Sequence, residues 1–321
     1  MRAAVVRELG KPPVYDDFPD PEAQTGETIV SMGASAVNPL TLSRAGGVHY
    51  SAHTPLPFVA GIDGVGRTPD GRTVYVAGAR APYGTLAERV PVATATLVPV
   101  PAGLTAEFAA AVAIPGQSSW NPLMHRVRIQ PGESVLVHGA TGAAGNMAIQ
   151  IAKHLGARAV VATGRNPSKL TGLAEIGADR VIALDQPADA LREAIRNAAR
   201  ELNVGVVLDY IYGPTAPVLF SALGGPGGPR GPSLIRYVQI GAIAGPSAPL
   251  ESALLRSSGL EILGSGIGSS TWAQQSAALR EMFAATAAAH FRLATEVEPL
   301  SRVTEMWGST GEERRRVFSI P

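Results

Sequence analysis

The stretch Glu133–Gly156, ESVLVHGATGAAGNMAIQIAKHLG, constrains this chain more than any other part of it. Val135, Leu136 and Val137 form a short apolar run that suits a strand buried on both faces. Ala148, Ile149, Ile151, Ala152 and Leu155 recur at helical spacing. Between the two runs stand Gly139, Gly142 and Gly145, so the segment reads as strand, tight turn and helix.

Such a turn lets the chain leave the strand sharply, come close to a ligand, and lay the following helix on the sheet. The start of that helix offers unpaired backbone N–H groups and the positive end of its dipole, which attract phosphate oxygens without a basic side chain. From Ala140 the pattern is Ala-x-Gly-x-x-Gly, a variant of the dinucleotide fingerprint with alanine in first place. A glycine-rich turn that binds nothing would look the same in isolation, but a strand before it and a helix after it favour cofactor binding. The candidate cradle is Gly139, Ala140, Thr141, Gly142, Ala143, Ala144 and Gly145.

The next apolar run, Ala159–Thr163, is where an NAD site would end on an Asp or Glu that takes the ribose hydroxyls. Gly164 stands there instead, followed by Arg165. Without the carboxylate a 2′-phosphate is not repelled, and a guanidinium can pair with it in a bidentate way. The pattern therefore favours NADPH over NADH. Lys169, one helical turn onward, either adds charge to that site or solvates a helix start.

At 321 residues the chain is long enough for two domains. It has no stretch of about 18 uninterrupted apolar residues and no apolar signal core after Met1, so a cytoplasmic protein without a membrane partner is expected. A net charge of +1 gives no field to recruit nucleic acid. The mixed-sign run Glu312–Arg316 reads as a solvated helix face. With no cysteine there is no disulfide, catalytic thiol or thiolate zinc site.

Residues 1 to about 118 read as β-rich and irregular, with strands over Ala3–Val6, Thr28–Met32, Val74–Ala77 and Ala87–Val90. A helix over Ala106–Ala113 and a second helix or turn over Gly116–His125 lead into the glycine motif. Strands then alternate with helices: Ser134–Val137, Ala159–Thr163, Arg180–Ala183, Val204–Leu208, Tyr237–Ile240 and Leu260–Leu263 against Asn146–Leu155, Lys169–Ile176 and Ala188–Glu201. This alternation predicts an α/β class with a Rossmann doubly wound parallel sheet. Gly224–Pro232 reads as a mobile surface loop, Trp272–Ala289 as a helix, and Thr295–Pro321 as short pieces that complete the first domain.

The order of parts resembles the medium-chain dehydrogenase/reductase superfamily, in its zinc-free quinone oxidoreductase branch. The segments that carry the resemblance are Ala36–Pro39, Val59–Val65, Tyr83–Glu88, Val135–Gly145, Leu173–Asp179 and Val238–Gly241. The resemblance implies a β-rich GroES-like catalytic domain over 1–118 and 266–321, around a Rossmann dinucleotide-binding domain over 119–265. It implies that Asn38 sits beside the nicotinamide and the substrate carbonyl, where its amide can hold or polarise the oxygen, a turn residue before Pro39 being the alternative. Ser118 occupies a position where relatives often carry a small hydroxyl residue near the nicotinamide, and Ser119 is left with helix packing. Gly241 and Ala242 would bring backbone to the carboxamide, Gly264 and Ser265 would pass the ring, and Asp209 and Tyr210 would lie near the adenosine or ribose, Asp209 being equally a cap or turn.

Zinc members of the superfamily carry a histidine where this chain has Ile62, within Gly61-Ile62-Asp63, so no metal is expected. His49 and His53 lack a third ligand and read as loop or pocket residues. The segment Gly64–Arg72 reads as a short loop, Thr41 stands where relatives carry an aspartate, and Ser43 where some carry tyrosine. Tyr50 or His49 is left as a replacement for that ring, with water as the alternative proton source. The expected activity is an NADPH-dependent reductase of a quinone or related conjugated carbonyl, working in a dry cleft by hydrogen bonding and positioning. Its alternatives are an enoyl or 2-alkenal reductase on the same scaffold, or an NADPH-binding protein with little turnover. By analogy a homodimer is expected, paired through the edge of Gly259–Ser265.

Overall fold

The strands in chain order are β1 (Arg2–Val6), β2 (Val14–Asp17), β3 (Glu27–Ala36), β4 (Phe58–Val59), β5 (Asp63–Arg67), β6 (Thr73–Ala77), β7 (Arg89–Ala93) and β8 (Val98–Pro99). They are followed by β9 (Ser134–His138), β10 (Ala159–Gly164), β11 (Arg180–Ala183), β12 (Val204–Asp209), β13 (Ile235–Gln239), β14 (Leu260–Gly264), β15 (Thr295–Pro299) and β16 (Arg315–Ser319). The helices are α1 (Pro39–Ala45), α2 (Ala106–Asn121), α3 (Ala143–His154), α4 (Pro167–Leu170), α5 (Ala188–Glu201), α6 (Ala216–Gly224), α7 (Ser252–Ser257), α8 (Trp272–Ala289) and α9 (Val303–Met306). This computed structural model describes residues 1–48, 54–224, 234–308 and 314–321. Contacts divide it into Met1–Ala113 with Leu279–Pro321, and Ile114–Ala278; both divisions fall inside helices, α2 and α8.

In the second unit the sheet order is β11-β10-β9-β12-β13-β14, and every neighbouring pair is parallel. This is the 3-2-1-4-5-6 order of a dinucleotide fold, whose order reverses between β9 and β12. The expected doubly wound parallel sheet is therefore present. β9 is buried along its whole length, which is why its sequence shows a continuous apolar run. Leu191, Ile195 and Ala199 recur at helical spacing on α5 and pack into one core with Leu136, Val161, Val207 and Phe220. Among the described residues β14 ends the sheet, paired with β13 on one side.

The first unit is antiparallel over most of its strands and assembled from distant parts of the chain. Its larger sheet runs β15-β16-β3-β5-β6-β8, with β7 also on β3, and β2-β1-β4 forms a smaller one. The C-terminal strand β16 lies against β3, with Val317 opposite Ala36, so the tail completes this unit. Phe318, Leu86, Val30, Val90 and Val5 fill its core. Among the described residues no helix is long and apolar enough to cross a membrane.

Several local expectations are corrected. Gly64–Arg72 is not a plain loop: β5 occupies Asp63–Arg67 and pairs with β3 and β6. Its glycines belong to the strand because a Cβ on Gly64 would lie 2.5 Å from the Ala34 carbonyl oxygen, and one on Gly66 would run into that of Ser31. The strand expected at Ala87–Val90 is shifted to Arg89–Ala93, where Pro91 is tolerated because β7 pairs with β3 alone among the described strands. Gly116–His125 is no separate element; α2 runs through Pro115 to Asn121 and passes into a wider turn over Pro122–Arg126. The helix expected over Lys169–Ile176 is the single turn α4, started early by an Asn166 cap and Pro167 and followed by a 3-10 turn at Thr171–Leu173.

Of the run Glu312–Arg316, Glu312 and Glu313 lie outside the described residues, and the three arginines form no solvated helix face. Arg315 and Arg316 open β16, Arg316 is 4% exposed, and its guanidinium donates to Glu296 at 2.6 Å and to the Met306 carbonyl. Burial in a strand has overridden the charge pattern, because that guanidinium found its partners elsewhere in the chain. The segment Gly224–Pro232 lies outside the described residues apart from Gly224 itself, as do His49, Tyr50 and His53.

Candidate functional site

Gly139 follows β9 with φ +93, a conformation that suits glycine, and its N–H and that of Ala140 donate to the Thr163 carbonyl on β10. The turn that leaves β9 is thereby tied to β10. Gly145 has a packing reason to be glycine: a Cβ there would lie 2.5 Å from the Ala140 Cα and run into the Gly139 carbonyl. α3 can approach the turn only because that atom is missing. Gly142 differs. It is the N-cap of α3, a Cβ on it would meet nothing nearer than 3.9 Å, and no side chain caps the helix among the described residues. The first-turn N–H groups of Ala143, Ala144 and Gly145 thus remain for an anion, and the bare backbone at Gly142 lets it come close. These residues fit a pyrophosphate.

The parallel sheet brings the other cofactor candidates to the same edge. Gly164 ends β10, Tyr210 follows β12, Gly241 comes two residues after β13, and Gly264 and Ser265 lie at the end of β14. Gly164 lacks a side chain for a reason the sequence does not show: a Cβ there would lie 2.5 Å from the Thr141 methyl. Arg165 next to it is exposed, and neither it nor Lys169 forms an ion pair among the described residues. A Cβ on Gly241 would lie 2.5 Å from the Tyr210 carbonyl, Ala242 is exposed, and Ser265 is 8% exposed with its N–H on the Gln239 carbonyl.

Asp209 is a turn residue. Its Oδ1 accepts from the N–H groups of Ile211 and Tyr212 at 2.8 and 2.9 Å, and its Oδ2 from the Tyr237 hydroxyl. The Tyr210 hydroxyl sits 2.8 Å from Ser119 Oγ and 3.4 Å from the Ser118 carbonyl, and burial raises its pKa, so it stays protonated. Ser118 Oγ donates within its helix to the Pro115 carbonyl. Ser119 does more than the packing expected of it: its buried Oγ lies 3.0 Å from the Ala144 carbonyl, which ties α2 to the first turn of α3.

His138 lies within the glycine motif, yet nothing in the sequence assigns it a role. It is fully buried at the end of β9, with Nδ1 2.8 Å from Thr163 Oγ1 and Nε2 2.9 Å from Thr215 Oγ1. Thr215 donates its proton to the Tyr212 carbonyl, so Nε2 carries the imidazole hydrogen and Thr163 donates to Nδ1. Thr163 in turn accepts from the Gly139 N–H at 3.4 Å. Burial lowers the His138 pKa to about 4, with the nearby Asp209 acting against it, and the ring is neutral.

In the first unit Asn38 is the N-cap of α1 and is 3% exposed. Its Oδ1 accepts from Thr41 N–H at 2.8 Å and Thr41 Oγ1 at 3.2 Å, and its Nδ2 donates to Asp63 Oδ1 at 3.0 Å. Its other amide hydrogen has no partner among the described residues. Asp63 is 1% exposed, and Tyr75 donates to its Oδ2 at 3.3 Å. Burial pushes its pKa up to about 7, opposed by the Arg315 charge and by the bonds from Tyr75 and Asn38. Neither Asp63 nor Arg315 stood out in the sequence; the one hint was an acid directly after Ile62. A pocket in this unit is lined by Thr41, Arg44, Phe58, Ile62, Ala79 and Tyr83.

Residues 143–283 match the family described as zinc-binding dehydrogenase. A quinone oxidoreductase-like protein 2 homolog of Nematostella vectensis is 30% identical over 233 residues, 70% of this chain and 60% of that protein, so the match spans less than two thirds of that relative. A mycobacterial quinone oxidoreductase has the same fold, with a TM-score of 0.86 at 23% identity over 99% of both chains. The quinone oxidoreductase of Thermus thermophilus, known also in complex with NADPH, is 26% identical with a TM-score of 0.78, over 99% of this chain and 100% of its own. With the strand order and the glycine turn already in place, these likenesses support a quinone oxidoreductase-like protein of the medium-chain dehydrogenase/reductase superfamily.

Proposed function

We propose that the protein is an NADPH-dependent oxidoreductase that transfers hydride to a quinone or a related conjugated carbonyl without zinc. The observation that carries this reading is the turn at Gly139–Gly145, with its uncapped helix start, in the same unit as the exposed guanidinium of Arg165. NADPH, when bound, supplies the hydride. The chain's part is to hold and orient. The N–H groups at the start of α3 take the pyrophosphate, Arg165 takes the 2′-phosphate, and the backbone at Gly241, Ala242, Gly264 and Ser265 lines the nicotinamide end. Among the first unit's residues, Asn38 has an amide hydrogen left to donate to an oxygen that gains negative charge as hydride arrives. Water supplies the proton that completes hydroquinone formation. Ile62 in place of a ligating histidine, and a chain without cysteine, support chemistry that runs on hydrogen bonding.

The test is NADPH oxidation by the purified protein with 1,4-benzoquinone and a simple conjugated enone side by side, NADH serving as the control donor. Faster turnover of the quinone with NADPH is the expected result. Preference for the enone would move the activity to double-bond reduction, and NADPH binding with no turnover of either acceptor would overturn the reductase reading.

A further inference from the structure

A buried carboxylate that makes no ion pair of hydrogen-bonding distance is costly to keep charged, and its partners show what it is for. Asp63 opens β5, where its carbonyl accepts from Ser35 Oγ at 2.7 Å and Thr85 Oγ1 at 2.9 Å, so its backbone is fixed from β3 and from the segment before β7. Its side chain accepts from Asn38 on one oxygen and Tyr75 of β6 on the other. Arg315 of β16 supplies a compensating charge, and its buried Nε and Nη2 carry no hydrogen bond among the described residues. The β16 register against β3 runs from Ser319 opposite Ala34 to Val317 opposite Ala36, and continues toward Asn38.

We propose that Asp63 is a positioning residue: its carboxylate, with Arg315 and Tyr75 beside it, fixes which way the Asn38 amide faces and so aims the one remaining N–H. The inference rests on the reading of Asn38 as the group that holds the substrate oxygen. A primary amide can sit either way round. Here the Thr41 N–H demands an acceptor and the Asp63 carboxylate demands a donor, so a flipped amide would face N–H with N–H and oxygen with carboxylate. Among the described residues the charged and titratable groups facing Asp63 are Tyr75 and Arg315; Asn38, Ser35 and Thr85 are polar without ionising. Once Asp63 takes a proton it brings a donor of its own, and the demand on Asn38 is relaxed. Burial raises the Asp63 pKa to about 7, which puts that change near neutral pH.

The first test needs no turnover. The side-chain ¹⁵N amide pair of Asn38, identified as the pair missing from Asn38→Ala, should titrate near pH 7 in the wild type and stay flat in Asp63→Asn; a pair that does not respond in the wild type overturns the proposal. In steady-state assays with NADPH and 1,4-benzoquinone, Asp63→Asn should lower kcat by about tenfold or more with NADPH affinity unchanged. It should cause no further loss in an Asn38→Ala background. A full Asp63→Asn effect in that background overturns the positioning role. Wild-type kcat in Asn38→Ala would instead overturn the reading of Asn38. Tyr75→Phe removes one bond that holds the Asp63 pKa down, so the Asn38 titration should move to higher pH. An unmoved titration in the folded Tyr75→Phe protein overturns the proposal even where Asp63→Asn does not fold.

Discussion

His138 shows how one side chain links stability to the glycine turn. It joins a run of bonds from the Gly139 N–H through Thr163, the imidazole and Thr215 to the Tyr212 carbonyl, and that run requires a neutral ring. Its folded pKa of about 4 lies below the ordinary histidine value, so between about pH 6.5 and 4 the unfolded chain binds the extra proton. Stability from this group is full above that window and lost as pH falls through it, by about 3 kcal/mol at its lower end, a shift of one unit being worth about 1.4 kcal/mol. Asp63 works with the opposite sign: its raised pKa makes the folded state the better proton binder up to about 7, so it stabilises toward acid. Urea unfolding of His138→Gln and wild type at pH 7 and about 4.5 separates the two. The wild type's advantage over the variant should shrink at the lower pH, and an advantage that does not change with pH would show that the ring is not held neutral. Neither residue was legible beforehand, because a lone histidine at the end of an apolar strand and a lone aspartate after an isoleucine acquire their partners only from Thr163, Thr215, Tyr75 and Arg315, none of them adjacent in sequence.

Among the elements, the strand-turn-helix unit β9–α3 assigns different work to its glycines. Gly145→Ala places a methyl against the Gly139 backbone, and should cost about 1 to 3 kcal/mol as overpacking that side chains cannot relieve, read as a lower melting midpoint. Gly142→Ala meets nothing nearer than 3.9 Å, so it should melt like the wild type while binding NADPH more weakly, because the added methyl stands where the phosphate approaches. Equal loss of stability in both variants would contradict this division. The unit was legible because a strand buried on both faces shows an unbroken apolar run and the glycines stand at fixed offsets from it. β5 was not, since Gly64 and Gly66 look like loop residues until β3 is laid against them. α4 also escaped, its length being set by the Asn166 cap and the 3-10 turn that follows.

Across the whole molecule, local alternation of strands and helices determined the order of the second unit's sheet, where most crossovers join neighbouring strands. The first unit needed β15 and β16, which join β3 from the far end of the chain, and no local pattern announces such a pairing. Arg315 reaches Asp63 by that route, so a run that looks like a solvated surface supplies a buried charge. What unites the parallel sheet is its single edge, where Gly139, Gly164, Tyr210, Gly241 and Gly264 all arrive at or just past the ends of strands. That edge, with Arg165, is the proposed NADPH site, and calorimetric titration of NADPH and NADH into the wild type and Arg165→Ala would probe it without relying on turnover. The wild type should bind NADPH more tightly than NADH, and Arg165→Ala should weaken NADPH by about tenfold or more while leaving NADH nearly unchanged, since a hydrogen bond to a charged group is worth about 1.5 to 3 kcal/mol. Equal binding of the two dinucleotides by the wild type, or an equal loss of both in Arg165→Ala, would contradict it.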